Sequence, residues 1–343
     1  MKKRRWVKLT VIILLAGLAV PAGAIIIKNR IFTPPAQETQ AVIEGDIVET
    51  SETTDLIDSE KKSEQDNGQI AETEAAEPAP AETVQTEAAK QTAQEGRQSQ
   101  AGQTGVQEIQ ARLENLVNTE YHAGGRISIC TGRVGESDMA VTGGGAMQAA
   151  SLIKLYVAGC VYENYGLVSA QESYGGETDS LLSVMITVSD NTACNTLVTR
   201  LGEGDVQVGM GRVNQYCANH GFSETHMGRL MLQPNDADDN YTSVRDCCNY
   251  LKMANAGQLE GASSVLEYMN QQQRRSKIPA GLPAGVGVGN KTGELSNVEN
   301  DAAIVYGGNG TYVLCVMSEN LADTYSAQQF ITRTSGVVYE AMQ

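Results

Sequence analysis

Residues 31–105 offer almost nothing from which to build a core. The stretch is rich in Glu, Ala, Gln and Thr, carries Pro34, Pro35, Pro78 and Pro80, and has Phe32 as its sole aromatic residue. A segment that is acidic and poor in apolar side chains buries too little surface to offset its conformational entropy. It reads as a solvated tether, and about 75 residues of such coil span roughly 50 Å. Whatever folds must come from residues 106–343, enough for one substantial domain.

Residues 1–30 follow different physics. Lys2, Lys3, Arg4 and Arg5 precede an apolar run over 9–27, about the length that crosses a bilayer as a helix. The basic flank is expected to stay in the cytoplasm. Ala22-Gly23-Ala24 has the small-x-small form of a signal-peptidase site, which offers secretion after cleavage near Ala24 as the alternative. Ile25, Ile26 and Ile27 continue the apolar run past that point and favour an uncleaved single-pass anchor. In both readings the bulk of the chain is extracytoplasmic.

The formal net charge of −16 argues against nucleic acid or anionic lipid as a partner of the folded part, which has no basic tract. Seven cysteines in an exported chain invite disulfides, and an odd number leaves at least one unpaired if all pairing is internal. Cys247 and Cys248 are adjacent, no C-x-x-C spacing occurs, and only His122, His220 and His226 are on hand to assist a metal site. The cysteines therefore read as core residues or disulfides rather than ligands, and no metal or other cofactor is expected.

Within the folded part, Ile109, Leu113 and Val117 recur at helical spacing and predict a helix over 107–120. Two strand-like runs follow, 126–131 and 139–142, joined by the turn signal Gly135-Glu136-Ser137. Helical patterns then dominate at 150–165, 178–188, 192–201, 205–220, 242–256 and 262–275. Strands return at 285–291, 302–306 and 312–318 before a last helix at 326–342. Strands at both ends of a helical middle predict an α/β (α+β) fold: one sheet assembled from the two ends, an inserted helical subdomain, and a cleft between them.

Three short motifs fall on this frame in one order. Ser151-Leu152-Ile153-Lys154 opens the first apolar helix, Ser189-Asp190-Asn191 follows another, and Lys291-Thr292-Gly293 lies in a Gly/Val-rich strand. Singly, such triplets occur by chance on helix faces and N-caps; their order and context carry the signal. Together they supply a nucleophile, its proton acceptor, a proton shuttle and a cationic anchor for a carboxylate, which is what attack on a strained or peptide-like amide requires. A serine hydroxyl is a weak nucleophile at its own pKa. Lys154, one helical turn from Ser151 on the same face, is placed to take its proton if burial and nearby Lys291 keep the amine neutral. Asn290 separates Gly289 from Lys291, so no Walker motif exists, and neither a Gly-x-Ser-x-Gly elbow nor a histidine placed for a Ser-His-Asp triad can be read. Plainer readings stand beside these: Asp190 as a helix cap, Thr292 as strand filler, and Lys291 as a simple ion-pair partner of Glu294.

The stretches Ala150-Ser151-Leu152-Ile153-Lys154-Leu155, Val188-Ser189-Asp190-Asn191-Thr192-Ala193 and Asn290-Lys291-Thr292-Gly293-Glu294-Leu295 resemble the class A β-lactamase branch of the penicillin-recognising serine hydrolases. The likeness covers residues 107–343 and leaves the anchor and tether outside. It implies a five-stranded antiparallel sheet flanked by helices, beside an all-helical subdomain, with Ser151 at a helix N-terminus in the cleft. It also implies roles. Ser151, Lys154 and Ser189 would be catalytic, Ser189 passing a proton to the departing nitrogen. Asn191 would hold the substrate's acyl amide, Lys291 and Thr292 of the Lys-Thr-Gly293 motif would bind its carboxylate, and the backbone N–H groups of Ser151 and Glu294 would form the oxyanion hole. The implied partner is a β-lactam or a peptidoglycan stem peptide, acted on by a monomer.

Two departures from the family pattern bear on turnover. The segment from Lys154 to Ser189 is shorter than in typical class A enzymes, so the cleft is expected to be more open on that side. The loop expected to carry the deacylating glutamate is reduced to residues 228–240, Gly-Arg-Leu-Met-Leu-Gln-Pro-Asn-Asp-Ala-Asp-Asp-Asn, and contains no Glu. Gln233-Pro234 stands where the family has Glu-Pro, and glutamine can position a water without taking its proton. Asp236, Asp238 and Asp239 are the alternative bases. The sequence thus leaves open a lactamase, a D,D-peptidase that keeps its acyl group, and a sensor or scaffold with little turnover.

Overall fold

The computed structural model describes residues 105–343. The expected anchor, and the expected tether up to residue 104, lie outside the described residues. Among those described, no helix is long and apolar enough to cross a membrane.

A helix α1 over 105–120 is followed by strands β1 (Arg126–Arg133) and β2 (Ala140–Thr142), and then by a two-residue strand β3 (Met147–Gln148). A single 3-10 turn, Ala150–Leu152, feeds α2 (Ile153–Glu163). The helical part continues with α3 (Tyr165–Ser169), α4 (Glu177–Thr187), α5 (Asn191–Leu201) and α6 (Val206–Asn219). After β4 (Tyr241–Thr242) come α7 (Val244–Asn255) and α8 (Ala262–Asn270), then β5 (Gly287–Leu295), β6 (Val298–Gly307), β7 (Gly310–Glu319) and α9 (Thr324–Ala341).

The main sheet has the order β2-β1-β7-β6-β5 and is antiparallel throughout, so strands from both ends of the domain close it, as the sequence pattern predicts. Alternation along β7 sorts its side chains. Val313, Cys315 and Met317 enter the core shared with α2 and α7, while Tyr312, Leu314 and Val316 enter the core shared with α1 and α9. Burial on both faces is why these strands read as unbroken apolar runs.

The side chains of α2 are buried continuously from Ile153 to Val161, so this helix is apolar on every side and sits in the centre of the helical layer. Gly159 lets α6 approach it, because a Cβ there would collide with the Tyr216 hydroxyl. The burial of α2 fixes the site: its N-terminal end carries Ser151 and Lys154 to the boundary between the helices and β5. Between α2 and α4 stands only the single-turn helix α3 with its flanking turns, which accounts for the short Lys154 to Ser189 spacing.

Of the two readings of the cysteines, core residues or disulfides, the first holds: all seven are free, buried thiols. Cys130 and Cys315 face each other across β1 and β7, where they pack as small apolar groups. The helix read over 262–275 stops at Asn270, and the strand read over 285–291 runs on to Leu295, so the whole Lys-Thr-Gly motif is strand.

Candidate active site

Ser151 lies in the 3-10 turn just ahead of α2, after Ala150, whose φ of 46° is left-handed. Lys154 follows one turn later and is fully buried. Its ammonium donates to Ser151 Oγ at 3.1 Å, to the Ser189 carbonyl at 2.7 Å and to Asn191 Oδ1 at 2.7 Å, and reaches Ser189 Oγ at 3.3 Å. Desolvation lowers its pKa to about 8, with a further push from Arg274, against the pull of Cys194 and Asp190. Lys291, the cation expected to act on it, is close enough that the two amines oppose each other's charge, and Arg274 adds to the effect.

Ser189 occupies the bend between α4 and α5 with φ of 64°, a conformation that costs a side-chain-bearing residue about 1–3 kcal/mol. The surroundings over-determine it. Asp190 caps α5 by accepting the Ala193 N–H at 2.7 Å, the Ser189 carbonyl accepts from Lys154, and the Ser189 hydroxyl accepts from Lys291 Nζ at 2.8 Å. Lys291, also fully buried, gives a second bond to the Thr292 carbonyl at 2.7 Å. Burial, with Lys154 close by, sets its pKa well below the ordinary lysine value. Asp301 lies nearby, fully buried; desolvation raises its carboxyl to about 6, opposed by Lys277, by bonds from Asn290 and the Ile278 N–H, and by Lys291.

Strand β5 runs against the turn that bears Ser151. A Cβ on Gly293 would sit 2.7 Å from the Ala149 carbonyl and 3.2 Å from Ser151 N. The absence of a side chain there brings the Glu294 segment alongside the Ser151 backbone. Gly293→Ala is therefore expected to destabilise the fold by about 1–3 kcal/mol through overpacking and to slow labelling of Ser151 by a serine-reactive probe. A thermal melt and a labelling time course check both, and an unchanged pair would show that the strand yields without cost.

Glu294 does not pair with Lys291, which removes the simple ion-pair reading. Its carboxylate accepts from Arg274 Nη1 at 2.6 Å and lies 3.1 Å from Lys277 Nζ. Burial tends to raise its pKa, but Lys277 and Arg274 together hold it below the usual carboxylate range. Lys277 is itself buried, bonded to Glu299 at 2.7 Å and to the Asn300 carbonyl at 2.9 Å. Among the described residues, two cavities open on Ser151. One, about 320 Å³, is lined by Gln148, Asn191, Leu232, Gln233, Asn235 and Leu295 among others. The other, about 170 Å³, is lined by Ser189, Asn191, Arg274, Thr292 and Glu294.

All eight residues singled out from the three motifs thus converge on one cleft, Gly293 as a contact of the Ser151 turn and Lys291 through Ser189. The sequence profile of the beta-lactamase enzyme family matches residues 108–342. The chain belongs to that family. Similar solved structures include a mutant of PBP-A, described as an acyl-enzyme complex with penicillin G (24% identity, TM-score 0.58, 68% of this chain and 96% of that one). A beta-lactamase from Sphaerobacter thermophilus DSM 20745 matches at 22% identity and TM-score 0.56 over 70% and 97% of the two chains. An ancestral class A beta-lactamase, GNCA, matches at 22% and 0.58 over 68% and 99%. At these identities the likeness establishes the fold. A comparison with curated protein sequences gave no match.

In this beta-lactamase-family cleft several residues escaped the sequence reading. Arg274 was read as helical, whereas it follows the end of α8 and faces the site. Leu232, with φ of 65° and 79% of its surface exposed, lines the larger cavity beside Gln233. The loop that carries both is clamped by Asn195 on α5, which bonds Met231 through its amide in both directions, and by Asn214 on α6, which does the same at Met227. Asn residues on otherwise apolar helix faces were the only trace of these clamps in the sequence.

Proposed function

We propose that the chain is a serine hydrolase acylated on Ser151 by β-lactams or by the D-alanyl ends of peptidoglycan stem peptides. The observation that carries the reading is the setting of Lys154: buried, with a pKa lowered to about 8, and 3.1 Å from Ser151 Oγ. As a neutral amine it has two N–H bonds and one lone pair. The Ser189 carbonyl and Asn191 Oδ1, both at 2.7 Å, take the two N–H bonds, which leaves the lone pair for the Ser151 hydroxyl proton.

Ser151 Oγ then attacks the amide carbon, and the charge that forms on oxygen is met by the backbone N–H groups of Ser151 and Glu294. The carbon–nitrogen bond breaks as the Ser189 hydroxyl, oriented by Lys291, delivers a proton to the nitrogen and takes in its place the proton that Lys154 removed from Ser151, across the 3.3 Å between Lys154 Nζ and Ser189 Oγ. Asn191 keeps its amide N–H bonds for the acyl side of the substrate. The PBP-A mutant trapped with penicillin G supports this type of intermediate on this fold.

Release of the acyl group is the slow half of the reaction in this proposal, because the cavity facing the loop offers Leu232, Gln233 and Asn235, and its one carboxylate, Glu294, is already engaged by Arg274 and Lys277 and held below the usual range. That lining favours a penicillin-binding D,D-peptidase over a fast lactamase. Residues 9–27 anchor the chain in the membrane, with the domain extracytoplasmic at the end of its tether.

Intact-mass analysis of the full chain after exposure to benzylpenicillin tests the reading. A persistent one-to-one adduct on the Ser151 peptide is expected. Prolonged exposure that gives no adduct and no hydrolysed penicillin would end it.

A further inference from the structure

We infer that Asn300 is a positioning residue for the acylation of Ser151: its carboxamide holds the chain that leads into the nucleophile and so aims the Ser151 N–H. The inference rests on the acylation reading for the step that Asn300 serves.

The Ser151 N–H belongs to the peptide that follows Ala150, so the torsions of Ala150 decide where it points. Ala150 has φ of 46°, a left-handed conformation that a residue with a side chain keeps only where its surroundings impose it. Downstream the chain is fixed by α2, which is buried from Ile153 onward. Upstream it depends on Gln148 and Ala149, to which the two-residue ladder of β3 with β4 gives little support.

Asn300 supplies that support from the middle of the sheet. It is fully buried on β6, opposite Gly293 on β5 and Met317 on β7. Residues directly opposite on antiparallel strands project to the same face. The Asn300 side chain therefore points to the side on which a Gly293 Cβ would meet Ala149 and Ser151. Its Nδ2 donates to the Gln148 carbonyl at 2.8 Å and, more weakly, to the Ala149 carbonyl at 3.3 Å. Its Oδ1 accepts the Ser318 N–H of β7 at 3.1 Å. An N–H on one side and two carbonyls on the other admit a single orientation of the amide. The side chain is thus a strut between β7 and the end of β3.

Other bonds act on the same segment, but on its N–H groups: Gln148 N–H donates to Glu319 Oε2 and Ala149 N–H to the Asn240 carbonyl, both at 2.8 Å. The Leu152 N–H reaches the Ala149 carbonyl at 3.0 Å from within the turn itself. Among the described residues, Asn300 is the group outside the turn that bonds this carbonyl, which lies in the peptide plane from which the φ of Ala150 is measured. Without the strut Ala150 is free to relax, and the Ser151 N–H turns away from the oxygen on which charge develops. That contact strengthens only as the charge forms, so its loss falls on the rate of acylation more than on binding.

The test is saturable, pre-steady-state acylation of the full chain by benzylpenicillin, which separates the maximal rate constant from the dissociation constant of the non-covalent complex. Asn300→Ala should lower the rate constant about 10- to 100-fold, the scale of a misaimed reacting group, and leave the dissociation constant within about 3-fold of the parent. Asn300→Ser, whose hydroxyl is too short to span to β3, should behave alike and serves if the alanine variant does not fold. The infrared band of the adduct's ester carbonyl should move to higher wavenumber in these variants, because weaker hydrogen bonds polarise it less; a merely structural loss would lower the melting temperature and leave the band in place. Glycine takes a left-handed φ without steric cost, so Ala150→Gly should speed acylation several-fold more in the Asn300→Ala background than in the parent. A rate constant within about 3-fold of the parent in both Asn300 variants, a loss confined to the dissociation constant, an unmoved ester band, or an equal effect of Ala150→Gly in both backgrounds would each overturn the inference while acylation stands. A parent chain that forms no adduct would end the acylation reading and the inference with it.

Discussion

Lys154→Met should slow acylation of Ser151 by benzylpenicillin by at least about 10³-fold at neutral pH, a loss within the range of general-base catalysis, and Ser151→Ala should abolish it. Methionine keeps the length of the lysine stem and removes the amine, so the geometry of α2 is preserved while the proton acceptor is lost. Stability should change little, because two effects oppose each other. The variant no longer has to desolvate an amine in a fully buried position, but it leaves the Ser189 carbonyl and Asn191 Oδ1 without their 2.7 Å partner.

The pH dependence separates a base from a structural lysine. The neutral form does the work, and its pKa is lowered to about 8, so the parent rate should rise with pH, pass half-maximum near 8 and level off above it. Lys291 lies close enough to titrate with it, so the value observed belongs to the pair. The Lys154→Met profile should be flat through that region. Because Ser151 and Lys154 act as a unit, the double variant should be little worse than either single one. Quenched-flow mass analysis from pH 6 to 9 reads all of this. A Lys154→Met rate within a few-fold of the parent, or a flat parent profile, would place proton abstraction elsewhere.

Parts of this site were legible because local geometry carries them. Ser151 and Lys154 meet since an (i, i+3) pair at the head of a helix shares a face, and Asp190 caps α5 since that is what an aspartate before a helical run does. The strand pattern even held the answer to the Lys291 and Glu294 question: three residues apart on a strand, they face opposite sides. What the sequence left unread depends on chain reversals set by single side chains. Gln272 turns the chain after Asn270 by bonding both Arg274 N and the Ile186 carbonyl, so Arg274 leaves the helical pattern just where apolar spacing seemed to continue it. The β3–β4 ladder is two residues long, too short to show alternation, yet it seats Gln148 next to the Ser151 turn and brings up the Asn240 carbonyl, which accepts the Ala149 N–H at 2.8 Å. The buried Lys277–Glu299 pair has no local signature either, since its members come from different elements that the fold alone brings together.

The second large effect concerns release of the acyl group. Three aspartates in the loop were candidates to replace the missing glutamate, and two of them are already engaged. Asp238 pairs with His226 at 2.8 Å. Asp239 is buried and accepts from Arg229, Gln148 and Asn235 at 2.6, 2.8 and 3.1 Å. Hydrogen bonds hold Asp238 below the usual range. Burial works the other way for Asp239, but the bonds from Asn235 and Gln148 and the Arg229 charge outweigh it. Lowered carboxylates are weak bases, and none of the three lines the cavity that opens on Ser151. The parent should therefore accumulate acyl-enzyme and release product roughly 10²–10⁴-fold more slowly than a base-assisted site would. Gln233→Glu should shorten the lifetime of the adduct. Leu232→Glu is the sharper comparison, because Leu232 lines the same cavity from a left-handed backbone position, and whichever carboxylate reaches the ester will accelerate release more. The measurement is decay of the adduct mass after free penicillin is removed, for the parent and both variants. Rapid steady-state hydrolysis by the parent with no accumulated adduct would show that a base has been overlooked, and Asp236, the loop aspartate for which no partner is described, would be the first to replace.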